Sequence, residues 1–241
     1  MAQSILQEGG QRMVTRDRPG SIFDILGPIM TGPSSSHTAG AVRIGLMARG
    51  IAGGAPKRAV ITFYGSLAET YKGHMTDSGV VAGLLGLGVD DPGIKEALES
   101  AEKRGIPIQV LALPSGTKNP NTIVVELETR EGKTWRVEGV TVGGGEIQVS
   151  SIDGFPVDLR GKHDEVLLFT GPGTALPDEA KAIAAGSEPS VSEGPGGARL
   201  FVIRPFASPE RSVLEGLGKA RGVLGVSFLP RLYDYGKADG P

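Results

Sequence analysis

The chain has 241 residues, a formal net charge of −2 with 22% charged residues, 5% aromatic residues, 38 glycines, 17 prolines and no cysteine. So balanced a charge gives no electrostatic case for nucleic acid or an anionic membrane as partner. The lack of cysteine excludes disulfides, a cysteine nucleophile and any thiolate metal site made by this chain alone. The length suits one large or two modest domains. No signal-peptide pattern and no apolar run as long as a membrane span is read, so the expectation is a soluble, cytoplasmic protein.

Residues 1–20 are polar and without hydrophobic period, and are expected to form a flexible arm. Ser21 caps a short turn, Ile22 to Leu26, that leads into Gly27 to Gly45, GPIMTGPSSSHTAGAVRIG. Pro28, Gly32 and Pro33 break regular structure there, and Thr38 is placed to cap a helix whose apolar residues Ala41, Val42, Ile44, Leu46 and Met47 continue towards Ile51. Ser34, Ser35, Ser36 and His37 are thereby expected on a loop at a helix N-terminus. Unpaired backbone N–H groups, the positive end of the helix dipole and the serine hydroxyls could together hold a carboxylate or phosphate, with Arg43 one turn further on. A surface turn whose hydroxyls satisfy only the backbone is the plainer alternative.

Ala59 to Tyr64 reads as a strand. A second polar cluster follows, Gly65 to Asp77, in which Lys72, Gly73, His74 and Met75 precede a helix capped by Thr76 or Asp77, carrying Val80, Val81, Leu84 and Leu85, and ended by Gly86 and Gly88. His74 therefore has the setting of His37, a glycine-containing loop just before a helix. Asp91 and Pro92 open another helix with a buried stripe of Ile94, Ala97, Leu98 and Ala101, an outer Glu99–Lys103 pair, and a stop at Gly105. Strands are expected at Ile108 to Ala112, Thr122 to Glu128, Trp135 to Val142 and Ile147 to Ile152, the second and third joined as a hairpin through Glu131 and Gly132 and the last entered through Gly143 to Gly145.

From Asp164 the order becomes strand (Val166 to Thr170), helix (Asp178 to Ala185), short strand near Val191, strand (Arg199 to Phe206), helix (Pro209 to Arg221, with Ser208 as cap, Val213, Leu214 and Leu217 inside and Gly222 as stop) and strand (Val223 to Leu229). This βαββαβ order is that of a small ferredoxin-like domain. The fold class expected is thus α/β (α+β): a mixed sheet-and-helix domain over 21–161, a ferredoxin-like unit over 164–232, and a tail over 233–241.

Three segments together resemble the β chain of the bacterial iron–sulfur L-serine dehydratases: FDILGPIMTGPSSSHTAGAVRIG at Phe23 to Gly45, YGSLAETYKGHMTD at Tyr64 to Asp77, and TVGGGEIQVSSIDGFPVDLRG at Thr141 to Gly161. The resemblance extends from about Ser21 to the C-terminus. It implies an alternative substrate-binding domain followed by an ACT-like domain, and an activity that converts L-serine to pyruvate and ammonia. It also implies a 4Fe-4S cluster, whose ligands are thiolates and which therefore belongs to a partner α chain. L-serine would be the small-molecule substrate, and the assembly a homodimer or hetero-oligomer.

By the same resemblance His74, in the lysine-glycine-histidine motif, is the first candidate for the base that takes the α-proton of serine, and His37 the second. Ser34, Ser35, Ser36, Thr38, Arg43, Lys72, Thr76 and Asp77 are the candidates for substrate or anion binding, and no metal ligand is expected on this chain. Asn119 stands where the family usually has a histidine before Pro120, Asn121 and Thr122, Met75 where it has glycine, and no acidic residue precedes the turn Gly171, Pro172, Gly173. The rival function is a non-catalytic regulatory module binding serine or a related small carboxylate.

Overall fold

The computed structural model describes residues 30–114, 119–184 and 188–233. The expected arm, the turn at Ile22 to Leu26, Ala185 at the end of a helix, and the tail from 234 lie outside them.

A π-helical turn, Ser35–Ala39, runs into α1 (Gly40–Ala52), followed by β1 (Arg58–Tyr64), a short α2 (Ser66–Thr70) and α3 (Thr76–Leu85). A 3-10 turn (Pro92–Glu96) leads into α4 (Ala97–Lys103), and then come β2 (Ile108–Leu113), β3 (Thr122–Glu128), β4 (Thr134–Gly143), β5 (Glu146–Ile152) and β6 (Phe155–Leu159). The remainder is β7 (Glu165–Thr170), α5 (Asp178–Ala184), β8 (Ser190–Glu193), β9 (Arg199–Ile203), α6 (Arg211–Gly218) and β10 (Val223–Leu229). The described residues are therefore mixed α/β, with two sheets.

The first sheet has the order β2-β1-β3-β4-β5-β6, parallel only between β1 and β2. One face of β3 and β4 carries Ile123, Val125, Leu127, Trp135 and Val137 into a core shared with α1, α3 and α4. The opposite face carries polar groups, with Arg136 bridging Glu126 and Glu138, as expected for an antiparallel sheet wet on one side. The second sheet is antiparallel throughout, in the order β10-β7-β9-β8.

β7 is buried along its whole length. Its side chains alternate between two destinations: Val166 and Leu168 face a core formed with α5 and α6, whereas Leu167 and Phe169 join the core of the first sheet. β9 does the same, with Phe201 and Ile203 on one side and Leu200 and Val202 on the other. Cover on both faces explains why these segments are continuous apolar runs. Phe169 meets Trp135 and Phe155 at ring distances of 5.1 and 5.7 Å, so an aromatic cluster lies between the sheets.

The strand expectations hold within two residues at most boundaries. β6 was not foreseen, although Asp153-Gly154 between two apolar segments is a hairpin signal, and Asp153 and Gly154 do take positive φ. α2 was not foreseen either, because five residues give no helical period. β9 ends at Ile203, three residues short of Phe206. α6 begins at Arg211 after Glu210, because the hydroxyl of Ser208 donates to Asp164 instead of capping. Leu98 and Val213, expected inside, are exposed on their helices. The Glu99–Lys103 pair is present at 2.6 Å, and Gly53 and Gly86 close α1 and α3 in the left-handed conformation.

Glu165, 1% exposed, receives Arg204 Nε at 3.3 Å on one carboxylate oxygen. Burial outweighs the arginine and pushes its pKa up from 4.5 to about 6. An acid whose pKa rises on folding lowers stability when ionised. The fold is expected to lose stability as pH rises from 4.5 through about 6, and Glu165→Gln should flatten that part of the profile in denaturant titrations.

A second expectation concerns helix packing. A Cβ on Gly83 would lie 2.1 Å from Val42 O, whereas one on Gly216 of α6 would meet nothing within 4 Å. Gly83→Ala should destabilise by about 1–3 kcal/mol or more, and Gly216→Ala should stabilise by about 0.5–1 kcal/mol. Thermal unfolding of the two variants reads both signs.

Candidate functional site

The loops singled out in the sequence meet because α1 and α3 cross without side chains between them. Cβ atoms placed on Gly45 and Gly79 would lie 2.2 Å from Val80 O and 2.9 Å from Thr38 O, and Gly83 is as tightly faced by Val42 and Leu46. The helices thus touch backbone to backbone, and the segments that enter them are brought side by side.

At the entry to α1, Ser34 is extended (φ −145°) and caps the π-helical turn, its Oγ accepting the His37 N–H at 3.2 Å. The same Oγ is 2.9 Å from His37 Nδ1, and Ser36 Oγ is 3.3 Å from it. Both partners are hydroxyls, so the ring can donate to them or accept from them. Ser35 is half-buried on the same turn, and its carbonyl accepts the Gly40 N–H. Thr38, expected as the helix cap, is fully buried, and its Oγ1 donates to His74 O at 2.8 Å. The capping group is Ser34, four residues earlier, because the first turn is π-helical and Thr38 already lies inside it.

At the entry to α3, His74 donates its backbone N–H to Thr70 O at 3.2 Å, and its Nδ1 lies 3.2 Å from the same carbonyl. A carbonyl has no proton to give, so Nδ1 carries the hydrogen, which in a neutral ring leaves the lone pair on Nε2. Met75, left-handed at φ 56°, turns the chain into the helix. Neither Thr76 nor Asp77 caps it: Asp77 accepts from Ser78 N at 2.8 Å, and the buried Oγ1 of Thr76 has no hydrogen-bond partner among the described residues. Lys72 is exposed, its Nζ 5.8 Å from the Tyr71 ring centre.

The His37 and His74 rings are stacked, 4.6 Å apart at 27°. Burial, and secondly the neighbouring His74, hold the pKa of His37 below its ordinary value. The arrangement can present two imidazoles, at least one with a free acceptor nitrogen, beside three serines and a helix start.

Ser34, Ser36, His37, Thr38 and His74 are thus joined by direct contact, and Thr76 and Asp77 begin the helix that follows His74. Arg43 is aimed elsewhere: its guanidinium lies 3.9 Å over the Tyr233 ring and donates to Gly145 O at 2.6 Å. Sequence reasoning missed Thr70, whose i, i+4 spacing from His74 was the available signal. At the turn where a histidine is usual, Asn119 Oδ1 accepts from Asn121 N at 2.9 Å and Asn119 O from Thr122 Oγ1 at 2.9 Å, while Ser66 Oγ donates to Asn121 at 2.8 Å. An asparagine closes this turn by its own side chain. His163 lies apart, near Arg204 and Lys162, and burial first and these cations second lower its pKa.

Comparison with known proteins agrees with the loops. The family described as serine dehydratase beta chain matches residues 21–106, the stretch that contains both histidines. An L-serine dehydratase beta chain of Peptoniphilus asaccharolyticus is 34% identical over 169 residues, 70% of this chain and 76% of that one. The chain belongs to the L-serine dehydratase beta-chain family. A probable L-serine dehydratase beta chain of Bacillus subtilis (strain 168) is 44% identical over 148 residues, 61% of this chain and 67% of that one. L-serine dehydratase 2 of Escherichia coli (strain K12) is 44% identical over 72 residues, which are 27% of this chain but 15% of the other. In that relative the related segment is a small part of a much longer chain.

This chain has no cysteine, and among the described residues no three His, Asp or Glu side chains are grouped to hold a metal ion. A thiolate-held cluster therefore does not fit this chain's own donors. Among the described residues no helix is long and apolar enough to cross a membrane.

Because folding lowers the pKa of His37 from 6.5, stability should be insensitive to this group above pH 6.5 and decrease as pH falls through it, where the unfolded chain takes the proton first. Denaturation curves at about pH 7.5 and about pH 5.5 should differ less in His37→Gln than in the parent chain.

Proposed function

We propose that this chain is the β subunit of an L-serine ammonia-lyase that forms pyruvate and ammonia, completed by a cysteine-bearing α chain. The observation that carries the reading is the stacked pair of His37 and His74 inside the segment matched by the family. The 4Fe-4S cluster implied by the resemblance would belong to the α chain, since thiolates are its ligands. The assembly is a hetero-oligomer acting in amino-acid metabolism in the cytoplasm.

His74 is the base. With its Nδ1 hydrogen given to Thr70 O, a neutral imidazole offers Nε2 to the α-proton of serine. Removal of that proton and departure of the β-hydroxyl as water leave an enamine; its imine tautomer takes up water and releases ammonia, so atoms balance. His37, partnered by hydroxyls that accept or donate, is suited to pass a proton to or from the leaving group. Ser34, Ser35, Ser36 and the start of the π-helical turn are suited to the substrate carboxylate; Lys72, Thr76 and Asp77 are the further candidates at the same site.

Two structural units are proposed, 21–161 and 164–232. The β10-β7-β9-β8 order with α5 and α6 on one face supports a ferredoxin-like, ACT-type second unit.

The test is reconstitution with the α chain under anaerobic conditions. Neither chain alone should make pyruvate from serine, and the pair should. General-base catalysis contributes about a hundred-fold to ten-thousand-fold, so His74→Asn should lower kcat at least about a hundred-fold with a smaller change in KM, and His163→Asn should change neither. Near-normal kcat in His74→Asn, with altered cooperativity only, would move the chain to the regulatory class.

A further inference from the structure

The residue expected to hold substrate beside His37 has its hydroxyl committed elsewhere. Thr38 is 0% exposed, and its Oγ1 donates to His74 O at 2.8 Å across 36 positions of sequence. The residue is closely approached from two directions: a Cβ on Gly32 would lie 2.6 Å from the side-chain Cγ2 of Thr38, and one on Gly79 would lie 2.9 Å from its backbone carbonyl oxygen. Gly32 has φ +117°, a conformation that favours glycine, and lets the serine loop fold back over the threonine.

At the other end of the bond, His74 O is the carbonyl just before the left-handed Met75. A non-glycine residue there costs free energy unless its surroundings hold it. Three bonds hold His74: its N–H and its Nδ1 to Thr70 O, each at 3.2 Å, and its carbonyl to Thr38. The first two come from its own segment; the third is the link to the other histidine loop. From these contacts we infer that Thr38 is a positioning residue: its hydroxyl fixes the His74 peptide, and through it the Nδ1–H tautomer and the approach of the His74 ring to His37. It touches no substrate. The inference rests on the reading of His74 as the base.

The test uses Thr38→Val, which keeps the shape and removes the hydroxyl, and Thr38→Ser, which keeps the hydroxyl and removes the methyl under Gly32. Long-range proton–nitrogen correlations on the full chain at about pH 8, where an ordinary imidazole is neutral, report the tautomer of His74, assigned by its loss in His74→Asn. Steady-state kinetics with the α chain report turnover. The parent and Thr38→Ser should show the Nδ1–H form and the same kcat. Thr38→Val should show both tautomers and a kcat lower by about ten-fold to a hundred-fold, with KM changed by less than about two-fold.

A Thr38→Val that retains the tautomer and kcat overturns the inference, and one that raises KM alone shows a substrate contact instead and overturns it too. If Thr38→Val does not fold, Thr38→Ser decides: parental tautomer and kcat support the hydroxyl, and loss of either overturns it. Failure of the underlying reading looks different: His74→Asn would then turn over normally while Thr38→Val still disturbs the His74 tautomer.

Discussion

The backbone-to-backbone crossing of α1 and α3 is the constraint on which the site depends. Gly45 and Gly83 face each other's helices at distances where no Cβ fits. Side chains at such a crossing would hold the axes at the usual 8–10 Å separation. The entry segments would then move apart, and rings that now stack at 4.6 Å would lose contact. Ala41, Val42, Val80 and Leu84, fully or almost fully buried around the crossing, supply the apolar area that drives the helices together. The glycines decide how close they come.

At the helix entries that closeness limits the charge the two rings can carry. Two imidazolium charges 4.6 Å apart would repel by about 3–4 kcal/mol at an effective dielectric constant of about 20. Such repulsion opposes charging both rings together. The depressed pKa of His37 points the same way. Its hydroxyl partners can reverse their hydrogen bonds, whereas the carbonyl beside His74 Nδ1 cannot. One ring is therefore adjustable and the other fixed, a difference made entirely by what each Nδ1 faces.

Much of this was legible in the sequence and some was not, for identifiable reasons. The serine-histidine and lysine-glycine-histidine segments stood out by composition, the apolar patterns located α1 and α3, and the β-branched runs located most strands. Their meeting was not legible, since it depends on Gly45 and Gly83, and a glycine inside a helical pattern reads equally as a weakness in the helix. Thr38 was misassigned because threonine before an apolar run is a usual cap, and nothing local marks a π-helical turn. Arg43 was assigned to the loop by its place one turn along α1. Helix phase sends it instead to Gly145 and Tyr233, residues about a hundred or more positions away. The double-sided burial of β7 and β9 gave runs without alternation, which locate a strand but not what covers it.

The second sheet carries no residue of the histidine pair, yet it belongs to the site's scaffold. α1 begins at the His37 turn and ends against β10: a Cβ on Gly50 would lie 2.7 Å from Leu229 Cδ2, and Ser227 Oγ donates to Ile51 O at 2.8 Å. One turn from its start, Arg43 joins the helix to the β4–β5 turn through Gly145 and to the segment after β10 through Tyr233. A helix fixed near both ends by different elements, and along its middle by α3, has little freedom to slide or rotate. Because the turn that carries His37 is the first part of that same rigid body, the ring spacing is set by both sheets and not by the loops alone. Conservative changes at β10, remote from either histidine, therefore act on the position of α1 and through it on the geometry between His37 and His74.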